Sequence, residues 1–167
     1  LDIPNKRSSH KKNKVKGGGL VFPIILIPFS IIYNNFVPLI CMPLAIVGLI
    51  DDIKDIKPIY RLFSQIITVL ALLFYSKFNI TINNEFGLYF STIIFILIIF
   101  FSVGLINFIN FMDGIDGLVA GCLIIVFGIF SISNPLSLII FSILLGFLFW
   151  NWEPSKIFMG DVGSTYL

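Results

Sequence analysis

The stretch LYFSTIIFILIIFFSVGLI, residues 88–106, carries no charged residue and runs directly into NFINFMDGIDGLVAG, residues 107–121. The first segment approaches the roughly 20 apolar residues that a helix needs to cross the hydrocarbon core of a bilayer. The second places two Asn, two Asp and three Gly ahead of another apolar run. This pattern predicts a membrane-crossing helix that ends in a polar, glycine-containing loop.

The composition extends this interpretation to the whole chain. Hydrophobic residues make up 57% of it and charged residues only 12%, whereas a soluble domain carries about 25% charged residues. The sequence contains six apolar runs, at residues 17–33, 36–50, 62–77, 88–106, 118–133 and 136–150. The predicted fold class is therefore all-α: a polytopic membrane protein with about six transmembrane helices in one domain, residues 1–167.

The charged residues are sorted to one predicted face. With six spans, ten of the eleven basic residues fall in loops on the same side, and Lys77 alone falls on the other. An excess of Lys and Arg marks the cytoplasmic side. Eight of the nine acidic residues share that side, with Glu85 the exception. Acidic residues contribute little to topology, so their sorting favours a functional site on the cytoplasmic face.

The segment GLIDDIKDIKPIYRLFSQ, residues 48–65, groups three carboxylates at the end of an apolar run. Asp55 follows Asp52 by three residues, a spacing that puts both on one side of a helical turn. Clustered carboxylates repel one another unless a cation lies among them, and oxygen ligands suit Mg²⁺, which usually takes one or two carboxylates plus substrate phosphates. The alternative is a solvated loop whose acids balance Lys54, Lys57 and Arg61.

In the opening stretch, Asn107, Asn110, Asp113 and Asp116 recur every three residues. A helix turns by about 60° less than a full circle over such a step, so the four cannot all line up. Amides can hydrogen-bond a base or ribose, and carboxylates can accept from ribose hydroxyls. The alternative for Asp116 is a helix N-cap.

Two further segments carry polar signals. In KIFMGDVGST, residues 156–165, Asp161 lies between two glycines ahead of another apparent span, where free backbone N–H groups favour an anion such as phosphate. The alternative is again a cap, by Asp161 or Ser164. The start of the chain, LDIPNKRSSHKKNKVKGGGL, is a basic arm that also suits anionic lipid headgroups.

In order and rough spacing, LDIPNKRSSH with GGGL, GLIDDIKDIKP with RLFSQ, NFINFMDGIDGLVAG and KIFMGDVGST resemble the polyprenyl-phosphate N-acetylhexosamine-1-phosphate transferases. That family includes initiating enzymes of O-antigen and related surface polysaccharides and the phospho-MurNAc-pentapeptide translocase. The MDGIDG form and the SSH with GGG form look more like the surface-polysaccharide branch. A family member is expected in the bacterial cytoplasmic membrane, multi-pass, with a cytoplasmic active face.

The resemblance implies transfer of a HexNAc-1-phosphate from UDP-HexNAc to a polyprenyl phosphate with release of UMP. It implies a Mg²⁺ cofactor, with Mn²⁺ as a substitute, and no nucleic-acid partner; the oligomeric state stays open. By motif, Asp51 and Asp52 would be the catalytic pair and Asp161, with Asp52, would hold the metal. The expected phosphate ligand is Lys16. The expected nucleotide-sugar residues are Asn107, Asn110, Asp113 and Asp116.

The resemblance also predicts that the chain is a fragment, without an N-terminal span, the C-terminal spans and a loop rich in His and Arg. A competing class is an ion transporter or channel. Acids in such proteins lie within spans and face a cavity, whereas here the predicted run centres carry no charge. The transferase is therefore the favoured interpretation.

Overall fold

The computed structural model describes residues 15–167, with the side chains at 79–81, 83 and 84 left aside. The predicted basic arm, up to Lys14, lies outside the described residues. Within them every regular element is helical, and the only strand-like pairing is a single parallel bridge between Val15 and Ile157. The all-α prediction is confirmed for this part of the chain.

The helices follow the predicted apolar runs closely. A short 3₁₀ turn, Gly18–Leu20, precedes the first of them. In chain order they are α1 (Val21–Ile32), α2 (Val37–Ile40), α3 (Met42–Lys54), α4 (Pro58–Tyr75), α5 (Phe78–Met112), α6 (Leu118–Phe130), α7 (Pro135–Asn151) and α8 (Asp161–Ser164). The sequence did not predict that the second run divides into α2 and α3, or that α5 starts ten residues early.

Prolines and small polar residues set several helix starts. Pro58 and Pro135 occupy the first positions of α4 and α7, where the missing N–H costs no helical hydrogen bond. Asn134 caps α7, because its side chain accepts a hydrogen bond from the Leu136 N–H at 2.9 Å. Inside α5, Gly87 has φ of 73°, so a break separates a short first part from the long apolar part.

Within residues 15–167, two helical segments are long and apolar enough to cross a bilayer, Pro58–Tyr75 and Glu85–Met112. Three shorter helical stretches are apolar as well: Gly18–Ile32, Leu118–Phe130 and Pro135–Asn151. The structure therefore supports a membrane protein, while the number of six spans stays a prediction.

A buried core lies between α1, α6, α7 and the segment that leads into α8. Phe22, Leu144 and Met159 are fully buried there. The segment before α1 is tied to this region by backbone hydrogen bonds, from the Phe158 N–H to the Val15 oxygen at 2.8 Å and from the Gly18 N–H to the Phe158 oxygen at 2.9 Å. This pairing holds the start and the end of the described chain together.

Candidate active site

Six charged residues from five segments meet at one end of the helices. Asp51 and Asp52 lie in the last turn of α3, and Arg61 lies in the first turn of α4. Asp113 follows α5 directly and Asp161 begins α8. The sixth is Lys16, just before the 3₁₀ turn. We call these residues the charged cluster: Lys16, Asp51, Asp52, Arg61, Asp113 and Asp161.

Arg61 bridges two carboxylates that are distant in sequence. Its Nη1 lies 2.6 Å from Asp51 Oδ2 and 2.9 Å from Asp161 Oδ2. The other oxygen of Asp51 accepts a hydrogen bond from the Ile56 N–H at 2.8 Å. The sequence interpretation gave Arg61 no role beyond balancing charge. Its position in the structure makes it the residue that connects α4 to both acidic segments.

Asp52 connects α3 to α8 and to the N-terminal segment. Its carboxylate accepts hydrogen bonds from the Asp161 N–H at 2.9 Å and the Val162 N–H at 3.1 Å, and it pairs with Lys16 Nζ at 2.9 Å. The Asp52 side chain is only 5% exposed. The backbone N–H groups that we predicted for phosphate are therefore taken by the protein's own carboxylate.

Glycine allows α3 and α8 to approach this closely. A Cβ on Gly48 would lie 2.6 Å from the Asp161 carbonyl oxygen and 2.7 Å from its carbon, which are backbone atoms that cannot turn aside. Gly160 has φ of 76° and adjoins the Asp52 carboxylate. Close backbone contact therefore fixes Asp161 relative to the last turn of α3.

Helix capping does not account for Asp116 or Asp161. The N-cap of α6 is Gly117, and the N-cap of α8 is Gly160; neither helix has a side-chain cap. Both alternatives from the sequence are therefore wrong. The solvated-loop alternative for residues 51–55 holds only for Asp55, which is exposed and ends α3 at φ of 46°, away from the buried Asp51.

The cluster carries an excess of negative charge when its carboxylates are ionised. Four carboxylates then face two side-chain cations, so two negative charges are uncompensated. Burial raises the pKa of Asp113 to about 7, although a hydrogen bond from the Gly160 N–H lowers it. Burial and the adjacent Asp51 raise the pKa of Asp161 to about 6. A divalent cation would offset this excess charge.

The carboxylates of the cluster fit a hard cation that takes only one or two ligands from the protein. Among residues 15–167, no three His, Cys, Asp or Glu side chains are arranged to enclose a metal ion by themselves. Mg²⁺ usually takes one or two protein carboxylates and completes its shell with waters and substrate phosphates. Asp161, whose side chain is 17% exposed, and its neighbour Asp52 suit that mode.

The other predicted nucleotide residues make contacts within the protein. Asn110 donates a hydrogen bond to Ser164 of α8 at 2.9 Å. The Asp116 carboxylate accepts from the N–H and the hydroxyl of Ser155 at 2.9 and 2.7 Å. Asn107 pairs with Gln65 of α4. Of the four, Asp113 alone is in the charged cluster, and the nucleotide roles of all four stay predictions.

The chain belongs to glycosyl transferase family 4, since the sequence model of that family matches residues 19–167. It is 35% identical to the phospho-N-acetylmuramoyl-pentapeptide-transferase of Dictyoglomus turgidum, over 90% of this chain and 55% of that protein. It is 32% identical to the undecaprenyl-phosphate alpha-N-acetylglucosaminyl 1-phosphate transferase of Thermotoga maritima, over 100% of this chain and 53% of that protein.

A similar match, at 30% identity, is the probable undecaprenyl-phosphate N-acetylglucosaminyl 1-phosphate transferase of Bacillus subtilis, over 100% of this chain and 52% of that protein. The family resemblance is thereby confirmed. Relatives with both kinds of name match at comparable identity, so the branch within the family stays a prediction. The chain spans about half the length of the curated relatives it matches.

Proposed function

We propose that the protein transfers a HexNAc-1-phosphate from a UDP-sugar to a polyprenyl phosphate in the bacterial cytoplasmic membrane, with release of UMP. The observation that carries this proposal is the charged cluster, in which cations and carboxylates from five segments converge at one end of apolar helices. Relatives named as phosphosugar transferases support the same reaction class. We further propose that the reaction begins a surface polysaccharide or another cell-envelope glycan.

The reaction brings two polyanions together, so charge compensation and positioning supply most of the catalysis. An oxygen of the lipid phosphate bonds to the phosphorus that carries the sugar, and the bond from that phosphorus to the UMP oxygen breaks. The second pKa of a phosphate monoester is near 6, so the lipid phosphate is mostly dianionic at neutral pH. It needs no protein base.

The contacts of Asp51 and Asp52 support a positioning role. Both oxygens of Asp51 accept hydrogen bonds, one from Ile56 and one from Arg61. Both oxygens of Asp52 accept from the backbone of α8, and one also pairs with Lys16. These contacts hold both carboxylates in fixed positions. We therefore favour direct transfer between the two substrates over an aspartyl-phosphate intermediate.

For the cofactor, we propose Mg²⁺, held by Asp161 and Asp52 and replaceable by Mn²⁺. When bound, the metal would neutralise charge on the donor phosphates and orient them. Lys16, whose side chain is one-third exposed, would meet a phosphate beside Asp52. Asp113 and Asn110 would face the nucleotide-sugar from the end of α5.

A transporter is not favoured by these observations. The acidic residues of the charged cluster lie at helix ends: in the last turn of α3, directly after α5 and at the start of α8. Ionisable residues that move ions across a membrane lie within the spans and face a cavity. The family membership adds to the same conclusion.

The test is transfer of label from a panel of UDP-HexNAc donors into polyprenyl lipid, in membranes that carry the intact protein, with and without Mg²⁺. We expect metal-dependent product that falls at least about 100-fold in Asp161→Asn. Asp55→Asn is the matched control, because Asp55 is exposed and Asn tolerates its left-handed backbone. Absence of product from every donor, together with no UMP binding by the folded protein, would overturn the proposal.

A further inference from the structure

An amide pair joins α4 to α5 close to the charged cluster. Asn107 Nδ2 donates to Gln65 Oε1 at 2.7 Å, and Gln65 Nε2 donates back to Asn107 Oδ1 at 3.3 Å. Asn107 Nδ2 also donates to the Val103 carbonyl oxygen at 2.8 Å. An Asn amide has two N–H groups to donate, so both are used within the protein.

The pair lies in a closed series of contacts. Gln65 is one helical turn beyond Arg61 on α4, and Arg61 reaches Asp161 of α8. On α5, Asn110 lies three residues beyond Asn107 and reaches Ser164 of α8. Each of the three helices α4, α5 and α8 is therefore linked by side-chain hydrogen bonds to the other two, and the amide pair forms this connection between α4 and α5.

Burial makes the pair sensitive to geometry. Gln65 is only 2% exposed, so its amide cannot exchange its partner for water, and an unpaired buried amide is costly. The two amides can form both hydrogen bonds only when α4 and α5 keep one position along each other. A shift of α4 along α5 would move Arg61 relative to Asp161, because the Asn110–Ser164 hydrogen bond ties α8 to α5.

We propose that Gln65 and Asn107 are a positioning pair for the transfer reaction, which fixes α4 against α5 so that Arg61 meets the two carboxylates. This inference rests on the proposed transferase function. Asn107 then acts through Gln65 and Arg61, not on the nucleotide, so its loss lowers turnover without weakening the binding of the donor.

The test compares single and exchanged variants of the intact protein in membranes. Asn107→Gln and Gln65→Leu should each lower kcat by about 10-fold to 100-fold, since small displacements have effects of that size. The KM for the UDP-sugar and the binding of UMP should stay within about twofold of the wild type. The exchanged variant Gln65→Asn with Asn107→Gln rebuilds a reciprocal amide pair and should recover most of the activity.

Thr68→Val is the matched control. Thr68 is 1% exposed and lies one turn beyond Gln65 on α4, and its hydroxyl has no hydrogen-bond partner within the described residues. Val has nearly the same shape, so kcat should not change. If Asn107 contacts the nucleotide instead, Asn107→Gln raises the KM for the UDP-sugar, and adding Gln65→Asn does not restore activity. Gln65→Leu alone then leaves kcat unchanged. That result would overturn the inference.

Thermal unfolding separates this inference from the function. A wild-type protein without transferase activity would contradict the proposed function alone. The pair is then judged by Gln65→Leu, Arg61→Met and their combination in detergent. A positioning role predicts that the changes in unfolding temperature are not additive. The reason is that Gln65→Leu already weakens the contacts that Arg61 makes, so Arg61→Met then removes less. Additive shifts would overturn the positioning role.

Discussion

The charged cluster and the part of the α5–α6 loop that follows it, residues 114–117, both place carboxylates next to glycines, yet the carboxylates have different partners. In the cluster, carboxylates from α3 and α8 share the cations Lys16 and Arg61 and retain an excess of negative charge. In the loop, Asp116 binds Ser155 and the Gly117 N–H binds Asn151, so two loops are joined through hydrogen bonds. A run of closely spaced polar residues in a sequence can therefore indicate hydrogen bonds between two loops as readily as an active site.

The largest effect should come from Gly48→Ala, which tests whether the cluster depends on close backbone contact. The added Cβ would meet the carbonyl group of Asp161. Overpacking of this kind costs about 1–3 kcal/mol, and displacement of Asp161 should lower transferase activity about 100-fold or more. Thermal unfolding and the label-transfer assay measure the two effects. Gly104→Ala is the control, because a Cβ added there would meet nothing within 4 Å.

Arg61→Met should come next, with a loss of activity of about 100-fold. It leaves Asp51 and Asp161 without their shared cation, and the pKa of Asp161 rises. The acid limb of the pH–activity profile should therefore move to higher pH. Lys57→Met, an exposed cation at the N-cap of α4, should change neither quantity. Equal effects of both substitutions would show that general positive charge, not the bridge, is what matters.

The pH dependence should be of intermediate size and specific to the cluster. The pKa of Asp113 is about 7 in the folded protein against roughly 3.9 in an unfolded chain. The folded state thus binds more protons, so stability without metal is lost as the pH rises from about 4 to about 7. Thermal unfolding in a chelator should show this slope, and Asp113→Asn should reduce it. An unchanged slope in that variant would assign the effect to other groups.

The smallest effect should come from the α5–α6 loop. Ser155→Ala removes the hydrogen bond that the Ser155 hydroxyl donates to Asp116, which costs about 0.5–1.5 kcal/mol, and kcat and KM should change less than about threefold. Asp116→Asn should behave in the same way if the loop contact is its main role. A raised KM in Asp116→Asn alone would instead support the nucleotide role predicted from the sequence.

The sequence predicted the helices because apolar runs bounded by Pro, Asn and Gly leave few alternatives in a bilayer. It also brought Asp51, Asp52, Asp113 and Asp161 to one side through the sorting of charges. It did not reveal which of them touch, since the contact between Asp52 and α8 joins residues more than 100 positions apart. Nor did spacing show that Asn107 faces Gln65.

Two signals for the missed residues were present. Arg61 lies in the first turn of α4, where the helix dipole disfavours a cation, so a nearby anion was to be expected. Gly48 interrupts an apolar helix at a cost of about 1 kcal/mol relative to Ala, which indicates a close packing partner. Neither signal identifies the partner, because that depends on how α8 returns to α3.

The pairing of Val15 with residues 157 and 158 has a consequence for biosynthesis. Lys16 leaves the ribosome long before Phe158, whose N–H fixes the Val15 carbonyl. The backbone hydrogen bonds that hold the segment around Lys16 therefore form only after α7 has been synthesised and the chain has turned back. A nascent chain that stops before residue 157 lacks these hydrogen bonds and also lacks Asp161. The cluster is therefore completed late in synthesis, and a partly translated chain does not contain a finished site.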